Sequence, residues 1–144
     1  MLDLYELTST IGHVVGASLV SIDSRDRTPI YAQLDRGLRA AIATGRLQVG
    51  DQLPTVRQLA VDLRVNANTV ARVYAELERL GILETRRGIG SFVAATPRQA
   101  HPPNEHAPRL RAFITRVLGD AAAAGFNIDE VVAEIGRHRH HVDR

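Results

Sequence analysis

The side chains with the greatest chemical reach in this chain are its arginines. All eighteen cationic residues are Arg and Lys does not occur, so every positive charge is a planar fork of N–H donors suited to phosphate or to the O6/N7 edge of guanine. Their distribution is uneven. Residues 1–24 hold no Arg against Asp3, Glu6 and Asp23, residues 99–144 hold six Arg against six acids, and residues 25–98 hold twelve Arg against seven acids, net +5. A basic middle between acidic or neutral flanks is what a polyanionic partner selects. Within that middle, polar donors cluster: Arg57 stands alone, Asn66, Asn68, Thr69 and Arg72 fall within seven residues, and Arg86 and Arg87 adjoin Gly88 and Gly90. Asn can donate to and accept from adenine together, Arg can fork onto guanine, and Thr offers a methyl or a hydroxyl. Glycines without Cβ let a backbone approach a phosphate or enter the minor groove.

Other chemistries find little material. There is no Cys, which removes disulfides, thiol nucleophiles, thiolate zinc sites and iron–sulfur clusters. No Ser-centred glycine elbow or phosphate loop is present, and Arg86–Ser91, although rich in glycine, lies between two strand-like runs without the helix N-terminus that a phosphate site requires. His138, His140 and His141 are close enough in sequence to chelate, but a tail after a final helix reads more simply as frayed and basic. Neither an enzyme nor a metal or other cofactor is expected. The apolar stretch Ile11–Ile22 contains His13, two glycines and two serines and follows acidic residues, so it is neither a signal peptide nor a membrane span. A cytoplasmic protein without a membrane partner is the expectation.

These donors need a scaffold, and 144 residues of 15.8 kDa, 44% hydrophobic and 24% charged, suffice for one small domain with an appendage. Residues 1–19 form a lead-in with little legible pattern. From Pro29, a residue suited to a first helical turn, Ile30, Leu34, Leu38, Ala41 and Ile42 mark the apolar face of a helix ending at Gly45. A turn-rich stretch, Leu47–Pro54, leads to Thr55, which with Gln58 has capping-box spacing and starts a short helix burying Leu59, Ala60 and Leu63. Asn66 caps a third helix with Val70, Val73, Tyr74, Leu77 and Leu80 inward and Asn68, Arg72, Glu76 and Arg79 outward, closed by Gly81. Ile82–Arg86 and Ser91–Ala94 then read as a β-hairpin turning on Arg87–Gly90, with Phe92 inward.

The predicted fold is therefore mainly α with a small β-hairpin: a winged helix-turn-helix over 20–96. A linker at 97–107 contains Pro97, Pro102 and Pro103, an α-helical dimerisation region follows at 108–138, and a tail occupies 139–144. The third helix fits the major groove of double-stranded DNA, about 12 Å wide, and reads bases from its N-terminal residues. Asn66, Asn68, Thr69 and Arg72 are its candidate readers, although capping explains the position of Asn66 completely. Arg57, Arg86, Arg87, Gly88 and Gly90 are candidate contacts around them. A winged helix serving as a protein-interaction adaptor is the alternative, and it predicts a neutral recognition face.

The segments PIYAQL at 29–34, GDQLPTVRQLA at 50–60, VNANTVARVYAELERLGIL at 65–83 and RRGIGSFV at 86–93 resemble, in order and spacing, the DNA-binding domain of the GntR family of bacterial transcriptional regulators. The Asn-x-Asn-Thr-Val start and the short C-terminal region are most similar to the YtrA-type subfamily. The resemblance implies DNA contacts at Arg57, along 66–72 and on the wing. Where many members carry arginines this chain has Ala67 and Ala71, which shifts reading to Asn68, Thr69 and Arg72. Where the family usually has Gly between the two helices this chain has Arg64, a candidate phosphate contact, and Val56 replaces a common acidic residue. A repressor, often of transporter operons, is the implied role.

In the C-terminal region Leu110, Phe113, Ile114, Val117, Leu118 and Ala121 mark one amphipathic helix ending at Gly125. Asn127 and Glu130 cap a second, with Ile128, Val131, Val132 and Ile135 on one face. Two helices of this size cannot bury both stripes between themselves. A second copy is the economical cover, giving a homodimer on an inverted repeat; folding back onto the winged helix is the alternative. A small-molecule effector is not expected, because so short a region cannot enclose a ligand pocket of the usual ~300 Å³ or more.

Overall fold

A computed structural model describes residues 19–95 and 102–139, the side chain of Pro103 excepted. The chain divides between Thr96 and Pro97 into two compact units, each treated separately below. Residues 1–18 of the lead-in, and His140 and His141 of the tail, lie outside the described residues.

The first unit contains helices α1 (Ile30–Ala43), α2 (Val56–Leu63) and α3 (Ala67–Arg79) and strands β1 (Leu83–Arg86) and β2 (Gly90–Val93). Leu34, Leu38 and Ala41 from α1, Leu59 and Ala60 from α2, and Val70, Val73, Tyr74 and Leu77 from α3 converge in one core with Leu47, Leu53, Leu83 and Val93. These positions recur at three and four residues, the spacing that puts side chains on one helix face. The core also takes in Leu19 and Val20, the first of which the sequence reading assigns to the lead-in. Gly37 makes room for this segment: a Cβ there would lie 2.5 Å from Val20 Cγ1. Leu80, expected inside, is 41% exposed at the end of α3.

The hairpin is antiparallel, pairing Leu83 with Val93, Glu84 with Phe92, Thr85 with Ser91 and Arg86 with Gly90. Its base is buried through Leu83 and Val93, and its tip stands in solvent. The stretch read as turn-rich adds a ladder edge on the other side of β2. Leu53 N–H donates to the Ser91 carbonyl at 2.8 Å, Val93 N–H to the Asp51 carbonyl at 2.9 Å, and Gly50 N–H to the Val93 carbonyl at 2.8 Å. Gln52 thereby bridges Phe92. The sequence hides this pairing because a ladder edge needs backbone groups rather than a distinctive side-chain pattern.

In the second unit, α4 spans Pro103–Ala123 and α5 spans Ile128–Arg139. The helix thus begins inside the segment expected to be a linker to residue 107. Pro103 occupies the first helical turn, where a missing N–H costs nothing, and Glu105 N–H donates to the Pro102 carbonyl at 2.9 Å. Pro108 lies inside the helix, where it deprives only the Asn104 carbonyl of its donor. The reciprocal cap expected at Asn127 is present: Glu130 N–H donates to Asn127 Oδ1 at 3.0 Å and Asn127 N–H to Glu130 Oε2 at 2.8 Å.

Three helices end in the same hydrogen-bonded loop. At α3 the Ile82 and Gly81 amides donate to the Leu77 and Glu78 carbonyls; at α4 the Phe126 and Gly125 amides donate to Ala121 and Ala122; at α2 the Val65 and Arg64 amides donate to Ala60 and Val61. The left-handed position carries Gly81 at φ 74°, Gly125 at φ 88°, and at α2 Arg64 at φ 55°, the sole non-glycine with positive φ among the described residues. A side chain there costs about 1–2 kcal/mol through contact of Cβ with the following carbonyl. Arg64→Gly is therefore expected to stabilise the first unit by about 1 kcal/mol in urea unfolding, part of the gain being offset by the freer unfolded chain. An unchanged or lower midpoint would mean that the Arg64 side chain itself holds the turn.

Candidate nucleic-acid interface

At the start of α3, Asn66 Oδ1 accepts from the Asn68 N–H at 2.8 Å, so the Asn66 side-chain oxygen is engaged in the cap. Asn68 and Arg72 are exposed and Thr69 is half-buried on the first turns that follow. Arg72 leans toward α1 and places its guanidinium 5.2 Å from the centre of the Tyr31 ring, a cation–π contact that limits its rotamers. Tyr31 was not singled out from the sequence, where it sits beside the periodic apolar positions of α1.

Farther along α3, and on α1, charges are already matched. Arg79 donates twice to Glu76, at 2.6 and 2.9 Å, and Arg39 donates to Asp35 at 3.0 Å. The hydrogen bond from Arg79 and the positive charges of Arg79 and Arg39 hold the Glu76 carboxyl below its ordinary range. The outward stripe read from the sequence is therefore chemically divided. Asn68 and Arg72 lie toward the helix start, while Glu76 and Arg79 neutralise each other nearer its end.

Arg57 is exposed on the first turn of α2. Its helix starts with the expected capping box: Gln58 N–H donates to Thr55 Oγ1 at 3.1 Å, and Thr55 N–H donates to Gln58 Oε1 at 3.0 Å. The two helices are tied together just before this cap, where the buried Tyr74 hydroxyl of α3 donates to the Pro54 carbonyl at 2.7 Å. Burial pushes the Tyr74 phenol well above its ordinary value. It is a neutral donor across the whole working pH range.

The wing separates its two arginines. Arg86 donates to Glu84 Oε1 at 3.1 Å and lies 4.2 Å over the Phe92 ring, packed along the hairpin. Glu84 and Arg86 are two apart on one strand and thus share a face, a signal present in the sequence. Arg87 and Gly88 are exposed at the tip. Gly88 has φ 76° and Gly90 φ 143°, both glycine conformations, and a Cβ on Gly90 would lie 2.6 Å from Gln52 Nε2. That amide donates to the Ile89 carbonyl at 3.0 Å, which fastens the tip to the ladder edge. Nothing in the sequence marks Gln52 for this task, because its partner is 37 residues away. Among the described residues no ion pair engages Arg57, Arg64, Arg72 or Arg87.

The candidate dimerisation residues of the second unit are accessible. Leu110, Phe113, Ile114, Val132 and Ile135 are exposed, while Val117, Leu118 and Val131 are half-buried. No set of three or more His, Cys, Asp or Glu residues able to hold a metal occurs among the described residues. No described helix is long and apolar enough to cross a membrane.

Three helices, a capped third helix with polar N-terminal residues, and a hairpin tied to the body make a winged helix-turn-helix. Residues 30–93 match the family described as bacterial regulatory proteins, gntR family. The chain is 33% identical over 113 residues to the HTH-type transcriptional repressor YtrA of Bacillus subtilis, covering 78% of this chain and 86% of that one. Among solved structures it is similar to a transcriptional antiterminator from Listeria monocytogenes, with 27% identity, TM-score 0.59 and coverage of 86% of this chain and 92% of that one. It is also similar to YtrA from Sulfolobus acidocaldarius, a GntR-family transcription factor, with 32% identity, TM-score 0.52 and coverage of 70% of this chain and 98% of that one. The chain belongs to the gntR family of bacterial regulatory proteins, whose members are transcription regulators and not enzymes.

Tyr74→Phe tests the tie between α2 and α3. It leaves a buried carbonyl without its donor, so a loss of about 1–3 kcal/mol in urea unfolding is expected. A loss near zero would show that the Pro54 carbonyl finds another partner.

Proposed function

We propose that the chain is a homodimeric, sequence-specific repressor that binds an inverted-repeat operator in double-stranded DNA, in the cytoplasm. The observation that carries this reading is the partition of the arginines: Arg72, beside Asn68 and Thr69 on the first turns of α3, and Arg87 at the wing tip are exposed and outside every described ion pair. Asn68, Thr69 and Arg72 read base edges, with Arg57 beside them. Asn66 supports them as the cap. Arg64, Arg87 and the backbone at Gly88 and Gly90 take phosphates or the minor groove, and Arg86 contributes less because Glu84 already partners it.

The exposed apolar stripes of the second unit support dimerisation. A two-fold dimer presents its recognition helices ~34 Å apart, one DNA turn. Similarity to the YtrA repressor supports repression, and control of a transporter operon is the corresponding biological role. No effector molecule is included.

Arg72→Ala is expected to cost ~1–3 kcal/mol on the preferred sequence and to relax specificity. Arg87→Ala should weaken all duplexes alike and reduce the log–log salt slope by ~0.9. Titration of both variants against preferred and scrambled duplexes at several salt concentrations checks this, and equal effects on every duplex would refute the division of labour.

For the dimer, Phe113→Glu combined with Val117→Glu should give a monomer by sedimentation. An unchanged mass would exclude this face as the interface.

A further inference from the structure

The wing tip carries a large aliphatic residue that the fold does not use. Ile89 is 65% exposed between Gly88 and Gly90 and takes no part in the core. Its backbone is nevertheless held firmly. Ile89 N–H donates to the Arg86 carbonyl at 3.0 Å, and Gln52 Nε2 donates to the Ile89 carbonyl at 3.0 Å. The side chain is β-branched and loses little freedom when it docks.

We propose that Ile89 is a specificity-determining residue that packs against the minor-groove floor and makes the protein prefer A·T pairs where the wing lands; this rests on the DNA-binding reading above. The chemistry of the tip is one-sided. Two of its carbonyls, those of Arg86 and Ile89, already accept hydrogen bonds within the protein, while Arg87 is a free-standing donor and Ile89 presents hydrocarbon. An A·T or T·A pair shows only acceptors in the minor groove, and a G·C pair adds the guanine N2 amino group. That group projects from the floor and needs an acceptor. Covered by Ile89 it would lose its water without gaining a partner, the costly half of a hydrogen bond. The purine N3 and pyrimidine O2 acceptors occur in both kinds of pair, so the amino group is the one feature that Ile89 discriminates, and apolar side chains in this groove are a known means of close approach.

The test uses the full chain and a duplex that it selects from a random pool. Pairs flanking each half-site are then changed singly from A·T to G·C and to inosine·C, which keeps the major-groove edge of G·C but lacks the amino group. Binding to A·T and inosine·C should be similar, and binding to G·C about tenfold weaker at the position under the wing. Ile89→Ala should erase that difference while leaving the salt slope intact; Arg87→Ala should lower the slope and keep the difference. Equal binding of G·C and inosine·C at every flanking position would overturn the proposal, as would discrimination that survives in Ile89→Ala. If no sequence is enriched from the pool, the DNA-binding reading itself fails, a result distinct from enrichment of half-sites with indifferent flanks.

Discussion

The first unit depends on one short stretch of backbone, residues 50–55, which three other elements use at once. One edge pairs with β2 through Gly50, Asp51 and Leu53. The Pro54 carbonyl receives the Tyr74 hydroxyl from α3, and Thr55 caps α2. The Gln52 side chain reaches the turn of the wing. A connection with four such obligations has little freedom left, because each buried or laddered polar group that lost its partner would cost as much as an ordinary point mutation. The recognition helix, the helix before it and the wing are thus fastened to a common strut. Preorganisation of this kind matters for groove reading, which pays for every side chain that must be ordered on contact.

Charge alone describes the surface poorly. The central region has a net charge of +5, yet Arg39, Arg79 and Arg86 already have carboxylates at hydrogen-bonding distance. Such surface pairs contribute little to stability. Their larger effect is to take three guanidinium groups out of play while Arg57 on α2, Arg64 in the turn after it, Arg72 on α3 and Arg87 at the wing tip keep theirs outside every described ion pair. Tyr31 and Phe92 serve as aromatic rests for Arg72 and Arg86, so the same residue type is held in two ways: one arginine poised beside Asn68 and Thr69 at the start of α3, the other laid along the hairpin and neutralised.

The second unit follows a different physics. Its two helices have sound ends, with a capping box at Asn127 and a glycine loop at Gly125, but none of its described residues is buried. Local signals can start and stop helices without supplying the apolar burial that makes them stable. If a second copy supplies that burial, folding of this unit and assembly become a single concentration-dependent equilibrium.

Much of the architecture was legible in the amino-acid order because it rests on interactions spanning four residues or fewer. The capping pairs Thr55/Gln58 and Asn127/Glu130, the stops at Gly81 and Gly125, the apolar stripe from Val70 to Leu77 and the hairpin around Gly88 all belong to this class, and each follows from backbone geometry that recurs in every helix or turn. Contacts between distant segments were not legible. The pairing of residues 50–53 with β2, the Gln52 clamp on Ile89, the Tyr31 rest beneath Arg72 and the start of α4 at Pro103 depend on which surfaces meet, or on a proline falling where no donor is needed. The residue types able to contact DNA could be named from the chain alone; which of the arginines are left unpaired was settled by the folded form, since neutralisation requires a carboxylate to arrive within about 4 Å.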